Sequence, residues 1–98
     1  MDQIKWSSQA GRDLSNILEF ISKDSKKYAL ITLKKIIGQT DVLNKEPWIG
    51  RVVPEVGVDS IRELIYSNYR IVYQVRNDEI VILTVHHSAM LFDTSKFA

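Results

Sequence analysis

Residues 61–91, IRELIYSNYRIVYQVRNDEIVILTVHHSAML, hold three apolar runs that are separated by two short polar breaks. Ser67 and Asn68 stand alone between the first two runs, and a two-residue connection is typical of a tight β-hairpin. Asn77 and Asp78 mark the second break. This segment, nearly a third of a 98-residue chain, is therefore predicted to form three consecutive strands with tight turns, so the fold must contain a sheet.

The hairpin register decides which side chains share a face of that sheet. A two-residue loop makes these residues cross-strand partners on one face: Tyr66 with Tyr69, Leu64 with Ile71, and Arg62 with Tyr73. Glu63 and Arg70 become diagonal neighbours on the other face, next to Ile65 and Val72. A guanidinium among apolar neighbours needs a partner or access to water. Arg70 is therefore predicted either to pair with Glu63 or to bind a phosphate or carboxylate of a ligand.

The last strand, EIVILTVHH, is apolar on both faces, which indicates a central position or a cover of helices. His86 and His87 then point to opposite faces, and adjacent histidines on a strand do not readily chelate one metal ion. We expect no metal site and no cofactor. Each histidine is left with two interpretations, either an acid, base or RNA contact, or a structural or solvated role.

The first half of the chain predicts one strand and two helices. Ile4 and Trp6 alternate with polar residues as in a short strand. Ser7 or Ser8 is a candidate cap for a helix in SQAGRDLSNILEFISKD, and Ser25 is one for a helix in YALITLKKIIGQTDVLNK. The second helix has this predicted buried face: Ala29, Leu33, Ile36, Ile37, Thr40 and Leu43. Its lysines are interpreted as a solvated outer face, with a nucleic-acid surface as the alternative, and they are Lys26, Lys27, Lys34, Lys35 and Lys45.

The segment EPWIGRVVPEVGVDS joins the helices to the sheet. Its two prolines and two glycines favour a long ordered connection over regular structure. The letters RVV allow a short additional strand, and Pro54, which has no amide donor, limits that strand to a short or edge position.

Composition excludes several kinds of protein. A chain of 98 residues with 45% hydrophobic content is predicted to form one domain over residues 1–98. A net charge of +1 gives no overall attraction to nucleic acid. The absence of cysteine excludes disulfides, thiol catalysis and thiolate metal sites. We find no secretory signal and no run of about 18 apolar residues, and therefore expect a soluble cytoplasmic protein without membrane contact.

The order of a strand, two helices, a linker with GRVVPE, then IREL, NYRIVYQV and a last strand ending in HH resembles the RelE/ParE superfamily. These are small bacterial toxins of type II toxin–antitoxin systems, and the resemblance covers essentially the whole chain. It implies an α+β fold in which an N-terminal strand and a two-helix hairpin pack on a twisted antiparallel β-sheet. It also implies a cognate antitoxin partner, through which alone operator DNA would be bound.

The resemblance implies one of two activities. RelE-like members cut messenger RNA on the ribosome, whereas ParE-like members poison DNA gyrase. Of five catalytic positions in the RelE pattern, only the arginine at Arg70 is kept. The others fall on Ile61, Glu63, Met90 and Lys96. One transition-state donor is typically worth about 3 kcal/mol, so these losses favour the gyrase poison.

Two alternatives stay open. Some ribosome-dependent relatives use Glu, Arg and His, and this chain offers these: Glu55 or Glu63, Arg62 or Arg70, and His86 or His87. Such an activity would be a metal-independent endoribonuclease. The segment HHSAMLF lacks the arginine that ParE-like toxins commonly carry there, so the gyrase assignment depends on which catalytic residues are absent. The third interpretation is an inactive toxin that serves with its antitoxin only in a DNA-binding repressor complex.

Candidate contact residues follow from these alternatives. We expect Arg70 and Arg62 to contact the target, Glu63 to orient Arg70, and His86 or His87 to come next. The antitoxin is expected on the exposed sides of the helices, along Ile4–Trp6 or at the tail LFDTSKFA, since amphipathic segments bind through an added strand or a helix in a groove.

Overall fold

The computed structural model describes residues 3–88, Phe92 and Thr94. Residues 3–88 form five strands, two α-helices and one 3₁₀ helix. In chain order these are β1 Ile4–Trp6, α1 Ser8–Ser22, α2 Lys26–Gln39, the 3₁₀ helix Thr40–Asn44, β2 Arg51–Val52, β3 Ile61–Tyr66, β4 Tyr69–Val75 and β5 Ile80–His87. The predicted residues Met90, Leu91, Lys96 and Phe97 lie outside the described residues.

The strands form one mixed sheet in the order β1-β5-β4-β3-β2. The pairs β2–β3, β3–β4 and β4–β5 are antiparallel, as predicted, and the hairpin pairs Tyr66 with Tyr69 and Leu64 with Ile71. β1 runs parallel to β5, and the long connection that a parallel pair requires contains both helices and the other three strands. The α+β fold is confirmed, with β1 as the one parallel strand in the described sheet. Ser67 begins the hairpin turn with a φ of 53°, the left-handed conformation that two-residue hairpin loops require.

Both helices begin where the sequence predicts. The side chain of Ser7 accepts a hydrogen bond from the Ala10 amide at 3.0 Å, and that of Ser25 accepts one from the Tyr28 amide at 3.1 Å. α2 ends at Gln39, earlier than the periodicity predicts, and the chain tightens into the 3₁₀ helix. The Thr40 hydroxyl donates to the Ile37 carbonyl at 2.7 Å, a contact with the backbone that competes with continued α-helix.

The helices cover one face of the sheet and form the main core. Its fully buried members include Ile36 of α2, Leu43, Ile71, Tyr73 and Ile82.

The prediction for Ile37 is wrong, because its side chain is 40% exposed. Thr32 is buried in its place. Each residue advances about 100° around a helix, so a buried stripe centred on Ala29 and Ile36 turns Ile37 toward the outer side.

The linker forms an ordered connection, as predicted, and Val53 in it is fully buried. β2 is a short edge strand, and Arg51 is the register partner of Glu63. The Gly50 amide donates to the Tyr73 hydroxyl at 2.9 Å. A Cβ atom at Gly50 would lie 2.6 Å from both the Glu63 carbonyl oxygen and the Tyr73 hydroxyl oxygen. Only glycine fits this approach without displacing its neighbours.

Asp13 of α1 forms hydrogen bonds with β5 next to a register shift in that strand. Val72 faces Thr84 while Tyr73 faces Ile82, so Leu83 has no partner on β4. The buried Asp13 of α1 accepts hydrogen bonds from the Thr84 hydroxyl and, at 3.0 Å, from the Val85 amide. The carboxylate therefore gives a buried hydroxyl and a buried backbone amide their hydrogen-bond acceptor.

Asp13→Ala is expected to lower the free energy of unfolding by about 2 kcal/mol, because the buried Val85 amide loses its acceptor. Urea denaturation would measure the change. Asp24→Ala, at an exposed carboxylate, is the matched control, and its effect should stay within about 0.5 kcal/mol. Equal stabilities of the two variants would show that the hydrogen bonds of Asp13 with β5 do not stabilise the fold.

Among the helices of the described part of the chain, none combines the length and the apolar character that membrane crossing requires.

Candidate functional site

Glu63 is the centre of a charged cluster on the sheet face away from the helices. It lies in β3, and its side chain is fully enclosed. Oε1 accepts a hydrogen bond from Arg70 Nε at 2.6 Å, and Oε2 accepts one from Arg51 Nε at 2.5 Å. Arg51 reaches Glu63 as its register partner on β2, and Arg70 reaches it as a diagonal neighbour on β4. The predicted pairing of Glu63 with Arg70 is confirmed.

Arg70 is held from three sides. Its terminal nitrogens donate to both carboxylate oxygens of Glu55, at 2.7 and 2.8 Å, in a bidentate pair. The guanidinium carbon lies 3.9 Å from the centre of the Phe92 ring. Only 15% of the side chain is exposed. We call Arg51, Glu55, Glu63 and Arg70 the carboxylate–arginine cluster.

The cluster is formally neutral, because two guanidinium groups face two carboxylates. Hydrogen bonds from Arg70 lower the pKa of Glu55 from its usual 4.5 to about 2. The same contact with Glu55, followed by the one with Glu63, raises the pKa of Arg70. Both side chains of that pair therefore stay charged at neutral pH, and neither exchanges a proton there.

The two histidines separate, as predicted. His86 is the register partner of Arg70 on β5, is buried, and packs edge-to-face on Phe92 with ring centres 4.9 Å apart. His87 packs edge-to-face on Tyr69 at 5.2 Å. His86 therefore borders the carboxylate–arginine cluster, and His87 lies against Tyr69, a partly buried residue that packs on the main core.

Arg62 lies apart from the cluster and fastens the linker. Its guanidinium donates to the Trp48 and Gly50 carbonyl oxygens at 3.1 and 3.0 Å, and to the Asp59 carbonyl oxygen at 3.0 Å. It also pairs with the Asp59 carboxylate at 2.9 Å and lies over the Trp48 ring, 5.0 Å from its centre. Only 18% of the Arg62 side chain is exposed. Its role in target contact stays a prediction.

Arg51 is the cluster member that the sequence reasoning missed. Its side chain is 61% exposed, so it presents the most accessible guanidinium of the cluster. The letters RVV predict the short strand that contains Arg51, but they do not specify that this strand pairs Arg51 with Glu63.

In residues 3–88, Phe92 and Thr94, no group of three or more His, Cys, Asp or Glu side chains is placed to hold a metal ion.

Two helices pack on one face of a five-stranded mixed sheet, and the carboxylate–arginine cluster lies on the other face. A chain in the solved structure of the chromosomal ParDE TA (toxin–antitoxin) system from P. aeruginosa shares this fold, with a TM-score of 0.73. The two chains are 24% identical, and the match covers 89% of this chain and 96% of that one. No curated protein sequence matches this chain.

The family follows from the sequence itself. A family model described as the ParE toxin of the type II toxin–antitoxin system, parDE, matches residues 4–92. The chain therefore belongs to the ParE toxin family. The resemblance to the RelE/ParE superfamily is thus confirmed on its ParE side.

Proposed function

We propose that this toxin stops growth by binding DNA gyrase and poisoning it, and that a cognate antitoxin neutralises it. The observation that carries this proposal is the neutral carboxylate–arginine cluster. A toxin that acts by binding needs a rigid surface and no acid–base machinery, and the cluster supplies a rigid surface in which both guanidinium groups are paired with carboxylates. Family membership supports the same direction.

The alternative, a ribosome-dependent endoribonuclease, requires a cation that stabilises the extra charge on a reacting phosphate. Arg70 is the position kept from the RelE pattern, and its Nε and both terminal nitrogens donate to Glu63 and Glu55. The geometry does bring Glu55, Glu63, Arg70 and His86 to one place. A phosphate would have to displace a bidentate carboxylate and then meet two anions, which opposes its binding.

The predicted site residues take structural and contact roles under this proposal. Glu63 and Arg70 hold β2, β3 and the linker together, Arg62 holds the linker against β3, and His86 supports the cluster through Phe92. His87 packs on Tyr69 where β5 ends and β4 begins. None of them moves a proton in this account, so the proposed activity is not enzymatic.

The decisive test is induced expression in a susceptible bacterium, with protein synthesis and DNA synthesis followed separately by short radiolabel pulses. We expect DNA synthesis to fall first while protein synthesis continues. Purified toxin added to gyrase and supercoiled plasmid should then give linear plasmid, because a poison traps the cleaved enzyme–DNA complex. A type I topoisomerase on the same plasmid is the control, and it should be unaffected.

Two results would contradict the proposal. An early fall in protein synthesis would assign the toxin to the endoribonucleases, with Glu55 or Glu63, Arg70 and His86 as the reacting set. Unchanged synthesis of both polymers, at a confirmed level of folded toxin, would assign it to inactive descendants that act only in a repressor complex.

A further inference from the structure

Two arginines of the carboxylate–arginine cluster are tethered to one carboxylate through the same atom. Arg70 Nε donates to Oε1 of Glu63 at 2.6 Å, and Arg51 Nε donates to Oε2 at 2.5 Å. A guanidinium group is a planar fork with five donors, so a group that is fixed through Nε keeps its terminal nitrogens for a second acceptor. The enclosed carboxylate therefore holds two forks next to each other on the open face of the sheet.

The second acceptor differs between the two arginines. Both terminal nitrogens of Arg70 donate to the carboxylate of Glu55, at 2.7 and 2.8 Å. The terminal nitrogens of Arg51 have no hydrogen-bond acceptor among the residues that the structure describes. The pKa of Glu55 is lowered first by the hydrogen bonds from Arg70 and also by the charge of Arg51. The Glu55 carboxylate thus occupies a position on which both guanidinium groups act.

The turn that carries Glu55 is fixed without its side chain. In this turn the Val56 and Gly57 amides donate to the Val53 carbonyl oxygen at 3.1 and 2.9 Å. Val53 is fully buried, and Val56 packs on the same small core. The Glu55 side chain is 40% exposed. It can therefore rotate into water, or be removed by substitution, while the turn stays in place.

Arg70 keeps its orientation when the Glu55 carboxylate leaves. Its Nε remains hydrogen-bonded to Glu63, and its guanidinium carbon lies 3.9 Å from the centre of the Phe92 ring. Without Glu55 the cluster contains two guanidinium groups and one carboxylate, and it has a net positive charge. Cations that are already held in position bind an anion with little loss of side-chain entropy.

We propose that Arg51 and Arg70 form a phosphate-binding site, and that the Glu55 carboxylate is the internal ligand that closes this site in the free toxin. A carboxylate has two oxygens, and Arg70 alone engages both oxygens of Glu55. A phosphate group has more oxygens, so it can accept hydrogen bonds from both forks together. The site goes beyond the proposed function, because phosphate binding does not require gyrase.

The internal ligand keeps the phosphate affinity of the unchanged toxin low. Glu55 belongs to the same chain, so its effective concentration at Arg70 is high and a dissolved phosphate competes poorly. A phosphate that displaces Glu55 also meets the repulsion of the nearby carboxylate. Removal of Glu55 abolishes both effects at once. Phosphate binding should therefore be created by the loss of one acidic side chain, without the addition of any cation.

The test uses the whole toxin, labelled with ¹⁵N, and inorganic phosphate at pH 7. In Glu55→Ala, we expect phosphate to shift the Nε–H signals of Arg51 and Arg70. It should bind at least tenfold more tightly than to the unchanged toxin. Sodium chloride at equal ionic strength separates binding from general screening. Acetate should bind several times more weakly than phosphate, because its two oxygens satisfy one fork only.

Glu46→Ala is the matched control, because it also removes one exposed carboxylate and raises the formal net charge by one unit. It should bind phosphate no more tightly than the unchanged toxin. The double variant Glu55→Ala with Arg51→Lys tests the second fork, since lysine keeps a cation beside Glu63 but has no planar group. Most of the tenfold gain should disappear in it. Thermal unfolding checks that every variant is folded.

Several outcomes would overturn the proposal. Glu55→Ala and Glu46→Ala could bind phosphate equally, or the unchanged toxin could bind it as tightly as Glu55→Ala. The double variant could keep the full gain, the shifts could lie on other arginines, or acetate could bind as tightly as phosphate. Pulse labelling of DNA and protein synthesis has no part in this test, so the proposed function and the phosphate site fail separately.

Discussion

Glu63→Ala is expected to lower the free energy of unfolding by about 3 kcal/mol or more, the usual result of breaking a buried charge pair from one side. The fully enclosed carboxylate accepts hydrogen bonds from both Arg51 and Arg70, and its loss leaves the mostly covered Arg70 with Glu55 alone. Urea denaturation of the purified toxin measures the change. Glu55→Ala is the control, because this carboxylate is 40% exposed and exposed pairs contribute about 1 kcal/mol or less.

A compensated variant separates broken pairing from lost packing. Glu63→Leu combined with Arg70→Met removes both charges and keeps similar volumes, so its stability should lie close to that of the unchanged toxin. Arg51 is 61% exposed and can turn to water. If Glu63→Ala unfolded with the same free energy as the unchanged toxin, the enclosed pairing of Glu63 with Arg51 and Arg70 would contribute nothing to stability.

Gly50→Ala is expected to lower the free energy of unfolding by about 2 to 3 kcal/mol, because the added methyl group overlaps atoms that cannot move away easily. Its nearest neighbours are the Glu63 carbonyl oxygen and the hydroxyl oxygen of the fully buried Tyr73, both at 2.6 Å. Thermal or urea unfolding gives the difference.

Gly11→Ala is the matched control for the same change of side chain. Gly11 lies inside α1, and a Cβ atom there meets nothing within 4 Å. Alanine should stabilise that helix by about 0.5 to 1 kcal/mol. Destabilisation at both glycines would point to a general intolerance of the fold and not to the close approach at Gly50.

Local patterns predicted most of the fold. The hairpin register followed from a two-residue loop and the period of a strand, and it placed Glu63 beside Arg70 correctly. Ser7 and Ser25 were found because a cap acts within three residues of its own position. The linker strand was recognised as short and at an edge from Pro54.

The missed contacts join distant segments. Arg51 meets Glu63 across 12 residues and Asp13 meets Thr84 across 71, and both depend on registers that a local pattern does not contain. Arg62 shows the related limit, since the carbonyl groups that enclose it come from the folded path of the linker.

The parallel pairing of β1 with β5 has a consequence for how the toxin is made. Ile4 pairs with Ile80, so β1 cannot form its pairing until β5 has been synthesised. Helices α1 and α2 also leave the ribosome before β5, which lies in the core that they cover. Long-range pairings of this kind form late in folding. A partly synthesised chain therefore lacks the finished sheet, and the cell meets a working toxin only after β5 has been translated.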